Sequence, residues 1–127
     1  MEHESRIYYN KLVRDNIKDI IEGKGETCEV RPIESDREFE QELMKKIVEE
    51  ANALSMARTR EDFLHEATDL MLVLETINEH LKFTDAEIAA AMDENIARKG
   101  KYDKRHFLHW SEDRTYQSNE SPSGVVE

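Results

Sequence analysis

Glu50, Glu66 and Asp69 are the residues whose types and spacing point to chemistry in this chain. The stretch LHEATDLMLVL, Leu64 to Leu74, has the apolar recurrence of a helix face turned toward a core, yet it carries two acids. At ~100° of helix per residue, Phe63, Leu70, Leu74, Ile77 and Leu81 form one stripe, and Glu66 falls within roughly 40° of its centre. Asp69 follows at i+3 on the edge of the same face, where two carboxylates can converge on one point. On the preceding helical segment the stripe is Phe39, Leu43, Ile47, Ala51 and Leu54; Glu50 falls inside that arc and its neighbour Glu49 points outward.

Burying an ionised carboxylate without a partner is costly, and acids facing each other across two helices repel as well. A cation between them resolves both problems. Lys45, Lys46, Arg58 and Arg60 are expected on other faces or at helix ends, so no side chain supplies that charge. A divalent metal with oxygen ligands does, and hard carboxylates suit magnesium or manganese better than zinc. The plainer alternative is an imperfect helix phase, or a side chain reaching back to solvent, in a chain with 29 Asp and Glu residues.

The helices that must position these acids carry their own start signals. Ser35-Asp36-Arg37-Glu38 fits a capping box and predicts a long helix to about Ala57. Thr59-Arg60-Glu61-Asp62 and Thr84-Asp85-Ala86-Glu87 place further starts near positions 60 and 85. The link between the second and third helices is only a few residues, which forces an antiparallel hairpin and turns the acid-bearing faces together. A shorter first helix is expected from about Leu12 to Glu22, ending at Gly23-Lys24-Gly25, with loop to Pro32 and a brief extended piece around Cys28 to Val30. After Lys99-Gly100 the chain is expected to be irregular but partly packed through Tyr102, Phe107, Leu108 and Trp110. Met44, Met56, Met71 and Met92 read as packing residues.

The fold class is therefore all-α: a helical bundle built on an antiparallel hairpin, with one domain over residues 1–110 and a polar, flexible tail over 111–127. The net charge of -11 argues against a nucleic-acid polymer or an anionic membrane as partner. No apolar run approaches the length of a membrane span. The single Cys28 and an opening, MEHESR, without a signal-peptide pattern lead us to expect a cytoplasmic setting.

The acids read Glu49-Glu50-Ala51-Asn52-Ala53, then twelve residues, then Glu66-Ala67-Thr68-Asp69. This resembles the EExxE, spacer, ExxD pattern of the all-α nucleoside triphosphate pyrophosphohydrolases, the MazG-like and phosphoribosyl-ATP pyrophosphohydrolase-like group. YNKLVRDNI, Tyr9 to Ile17, is similar to the YNKLVRDKI opening of one branch, and Lys99 to Arg105 resembles that branch's closing basic segment. The resemblance implies magnesium-dependent cleavage of a nucleoside triphosphate to a monophosphate and pyrophosphate, with manganese as a possible substitute. It further implies a nucleotide-pool role and a homodimer or homotetramer. Residue by residue, it makes Glu50, Glu66 and Asp69 metal ligands and Glu49 an additional ligand or a water-positioning base. It makes Lys11, Arg14, Lys101 and Arg105 phosphate contacts and Asn10 a base or sugar contact. The chain departs from the pattern at Ala53, where the family has a glutamate. Two alternatives follow: a nucleotide-binding or sensing protein that does not cleave, and a metal-free helical interaction module.

Overall fold

The computed structural model describes residues 5–113. Most of the expected tail, 114–127, lies outside the described residues. Among them the secondary structure is entirely helical: α1 (Ile17–Gly23), α2 (Asp36–Ser55), α3 (Arg60–His80) and α4 (Asp85–Lys99), with no strand. The chain divides into two compact units, Met1–Ile88 and Ala89–Glu127, and the division falls inside α4. No described helix is long and apolar enough to cross a membrane.

The starts of the three long helices follow from local hydrogen-bonding chemistry. The Ser35 hydroxyl accepts from the Glu38 backbone N–H at 3.2 Å, Thr59 from Asp62 at 3.0 Å and Thr84 from Glu87 at 3.1 Å. The first box is only half closed, because the Glu38 carboxylate is taken by the Arg31 guanidinium through two bonds of 3.1 and 2.5 Å. A two-bond pair with a cation displaces the weaker return bond to a backbone N–H. That pair holds the Glu38 carboxyl below the usual carboxylate range.

The first unit is organised by the α2–α3 hairpin. Its core is small: Leu43 of α2 against Val73 and Ile77 of α3, with Leu12, Phe39 and Ile47 packed around them. Phe39 also meets the His80 ring edge-on at 5.3 Å between centroids. The apolar stripe foreseen on α3 is thus rotated. Val73 and Ile77 are buried, whereas Phe63, Leu74 and Leu81 are exposed. The rotation places Glu66, Asp69, Val73 and Ile77, spaced three to four residues apart, along one side of α3, the two acids partly exposed and the two apolar residues buried.

Helix α1 is shorter than foreseen. Residues Tyr9 to Arg14 are irregular, and a turn in which the Ile17 N–H donates to the Arg14 carbonyl at 3.1 Å starts the helix late. The irregular stretch lets Leu12 reach the hairpin core. Cys28 to Val30 is irregular rather than extended. In the second unit Tyr102, Phe107, Leu108, Trp110 and Met92 are exposed, and in the first unit so are Met44, Met56 and Met71, although all four methionines read as packing residues in the sequence.

Candidate metal centre

The candidate site is built on the last third of α2 and the first half of α3. The caps at Ser35 and Thr59 fix where each helix begins, and the short connection from Met56 to Thr59 makes the two run antiparallel. Residues in the last third of α2 therefore lie beside residues in the first half of α3. Glu50, Glu66 and Asp69 each place a carboxylate oxygen so that the three lie within 4.8 Å of one another, all partly shielded from solvent. This convergence is the one expected from helical spacing and the short link.

Donor chemistry and geometry both suit a hard divalent ion. An octahedral magnesium ion at about 2.1 Å from each oxygen needs its donors within about 4.2 Å of one another. Only one pair of donors can stand opposite each other at that span and neighbouring donors stand about 3.0 Å apart, so a triad within 4.8 Å would draw together by up to about 2 Å to share one ion. Three carboxylates leave room in such a shell for water or phosphate oxygens.

Cationic side chains surround the acids, and one of them corrects the sequence reading. Lys46 does not lie on another face. Its side chain is only 12% exposed, with Nζ 3.2 Å from Glu49 Oε2 and 3.6 Å from Glu50 Oε1. It sits three and four residues before its partners on the same helix, at the edge of the inner arc, and its long stem carries the ammonium to the acids. The spacing of Lys46 before the acid pair was the available signal; treating the edge of the arc as outside it concealed the contact.

Two further cations come from the irregular N-terminal stretch. Lys11 Nζ donates to Glu49 Oε1 at 2.7 Å, and Arg14 Nη1 lies 3.6 Å from Asp69 Oδ1. Leu12, docked on the hairpin core, explains why its neighbour Lys11 reaches α2. Glu49, expected to point outward, is half-exposed and has a lysine on each of its two oxygens. The hydrogen bond from Lys11 holds the Glu49 carboxyl below the usual carboxylate range, and the same bond pushes the Lys11 ammonium above its ordinary value. Glu49 is thus ionised but engaged, and it stands outside the converging triad.

Of the other residues expected at the site, Asn10 is exposed beside Lys11 with φ 47°, a left-handed conformation that asparagine tolerates better than most residues. Lys101 and Arg105 belong to the second unit, where Lys101 lies 3.8 Å from Asp103. Ala53 is partly buried one turn beyond Glu49 and Glu50 and offers no donor.

Comparison with protein-family models, with curated proteins and with solved structures found no match to this chain.

Proposed function

We propose that this chain is a divalent-metal-dependent nucleoside triphosphate pyrophosphohydrolase on a MazG-like helical scaffold, cleaving a nucleoside triphosphate and water to a nucleoside monophosphate and pyrophosphate. The observation that carries the reading is the convergence of Glu50 from α2 with Glu66 and Asp69 from α3 within 4.8 Å. The sequence resemblance adds the reaction class.

In this reading Glu50, Glu66 and Asp69 hold magnesium, with manganese as a working substitute. The bound metal supplies charge neutralisation of the triphosphate and a lowered pKa for the attacking water. The remaining steps belong to the chain. Lys11 and Arg14 stand at the rim on exposed stems and can turn from carboxylate to phosphate oxygens when substrate arrives. That exchange explains how a protein of charge -11 accepts a polyanion. When Lys11 turns to phosphate, Lys46 remains on Glu49 Oε2, and the freed Oε1 is an acceptor that can orient a water. Asn10, next to Lys11, is placed to meet the base or sugar.

A homodimer or homotetramer belongs to the same reading. Among the described residues the hairpin buries Leu43, Val73 and Ile77, while Phe63, Leu64 and Met71 remain exposed on α3. Sedimentation of a monomer at micromolar concentration would remove this part of the proposal. A house-cleaning role in the nucleotide pool, in a reducing cytoplasmic setting, accords with the free Cys28.

The test is pyrophosphate release from a panel of ribo- and deoxynucleoside triphosphates with magnesium or manganese, comparing the native chain with Glu66→Gln. Metal-dependent release that Glu66→Gln abolishes is the expected result. Ala53 and the doubly engaged Glu49 favour one other reading, a nucleotide-binding protein that does not cleave. Nucleotide binding without release from folded protein would select it.

A further inference from the structure

Lys46 is the most shielded charged side chain at the acid cluster that the sequence reading did not assign to it. Resting on the metal reading above, we propose that Lys46 is a fixed counter-charge that limits the site to a single divalent ion per chain. Its ammonium fills the position, between Glu49 and Glu50, that a second ion would need.

Ligand availability comes first. A second divalent ion next to the triad would draw on Glu49 and share Glu50, but both oxygens of Glu49 carry lysines, Lys11 at 2.7 Å and Lys46 at 3.2 Å. The Glu50 oxygen on that side is 3.6 Å from the same Lys46 ammonium. Lys11 is exposed and can swing away, whereas the Lys46 side chain is only 12% exposed and is anchored in the helix that carries its partners. Releasing it would give up both ion pairs and expose a largely shielded side chain.

Charge balance agrees. Glu49, Glu50, Glu66 and Asp69 contribute four negative charges, and Lys11, Arg14 and Lys46 contribute three positive ones. One divalent ion brings the cluster close to neutrality, and a second leaves it strongly positive unless phosphate is present. A lysine at this place also repels the second ion directly, an interaction that falls off slowly with distance in a partly shielded site.

The experiment counts bound Mn2+ per chain by electron paramagnetic resonance of the free ion, on the intact protein without nucleotide. Four proteins are compared: native, Glu66→Gln, Ala53→Glu, and Lys46→Met combined with Ala53→Glu. Position 53 lies one turn beyond the acid pair, so a glutamate there supplies a ligand without disturbing Lys46. Native and Ala53→Glu are expected to bind one ion, and the double variant two. Two ions bound by native protein, or by Ala53→Glu alone, would overturn the role of Lys46 while leaving the metal site intact. One ion bound by a double variant whose circular dichroism is native-like also overturns it. If methionine at 46 prevents folding, Lys46→Gln with Ala53→Glu asks the same question. No Mn2+ bound by native protein, or binding that Glu66→Gln does not weaken, removes the metal reading itself and this inference with it.

Discussion

The two ends of the α2–α3 seam use the same helices for opposite purposes. At one end Leu43, Val73 and Ile77 exclude water, with Phe39 and His80 edge to face beside them. At the other, Lys46, Glu49, Glu50, Glu66 and Asp69 gather charge. The apolar end gains from burial in proportion to area removed from water. The charged end is a near-balance of attraction, repulsion and desolvation, and it is where the proposed metal would bind. On the proposed reading, stability and metal binding are thus divided along one seam, within one to two turns of helix.

Breaking the apolar end is expected to give the largest effect. Leu43 is 2% exposed, and Leu43→Ala should cost about 2–5 kcal/mol in urea unfolding. A loss no greater than that of a surface substitution would mean that the seam does not hold the unit together. Sharpening the same end should give a smaller gain. Lys82, just past α3, has φ 63°, a left-handed conformation that a side chain resists and glycine does not. Lys82→Gly is expected to stabilise by about 0.5–1 kcal/mol, and a destabilisation would show that the Lys82 side chain has packing worth more than the strain.

The charged end should respond weakly in stability and in a pH-dependent way. Lys11 and Glu49 are both half-exposed, so Lys11→Met should cost only about 0.2–1 kcal/mol near neutral pH. The sign of the pH dependence follows from the directions of the two shifts. Glu49 has a depressed pKa, so its contribution is present above the ordinary carboxylate range and is lost as pH falls through its folded value. Lys11 has a raised pKa, so its contribution is present below the ordinary lysine range and is lost as pH rises through its folded value. The stability difference between native and Lys11→Met should therefore be flat across neutral pH and shrink at both extremes. A difference that persists below the carboxylate range would assign the effect to packing of the lysine stem.

Local chemistry was the legible part of the fold. Ser35, Thr59 and Thr84 start helices because a hydroxyl oxygen satisfies a free N–H three residues on, a contact that needs no knowledge of the rest of the chain. The triad was legible for a related reason: helical period and a short link leave Glu50, Glu66 and Asp69 few other places to go. The rotation of α3 was not, because Phe63, Leu74 and Leu81 are as apolar as Val73 and Ile77, and only the fit against Leu43 selects between the two phases. Lys46 was missed for the same cause: a modest turn of α2 decides whether a residue at the arc's edge meets solvent or acid. Leu12 and Arg31 reach their partners from irregular chain, for which the sequence offers no period to read.

The measurement that tests the central claim most directly is thermal unfolding of native protein and Glu66→Gln with and without magnesium, in the absence of nucleotide. If the acids form a metal site, an ion that binds only the folded chain stabilises it by about 2.7 kcal/mol at a hundredfold excess over its dissociation constant, a shift of several degrees. Native protein should show that shift. Glu66→Gln should begin at an equal or higher melting temperature, since one of the mutually repelling charges is gone, and should show no shift. A native melting temperature indifferent to magnesium, with Glu66→Gln simply more stable, would contradict the account and leave the acid cluster as a feature of a helical interaction module.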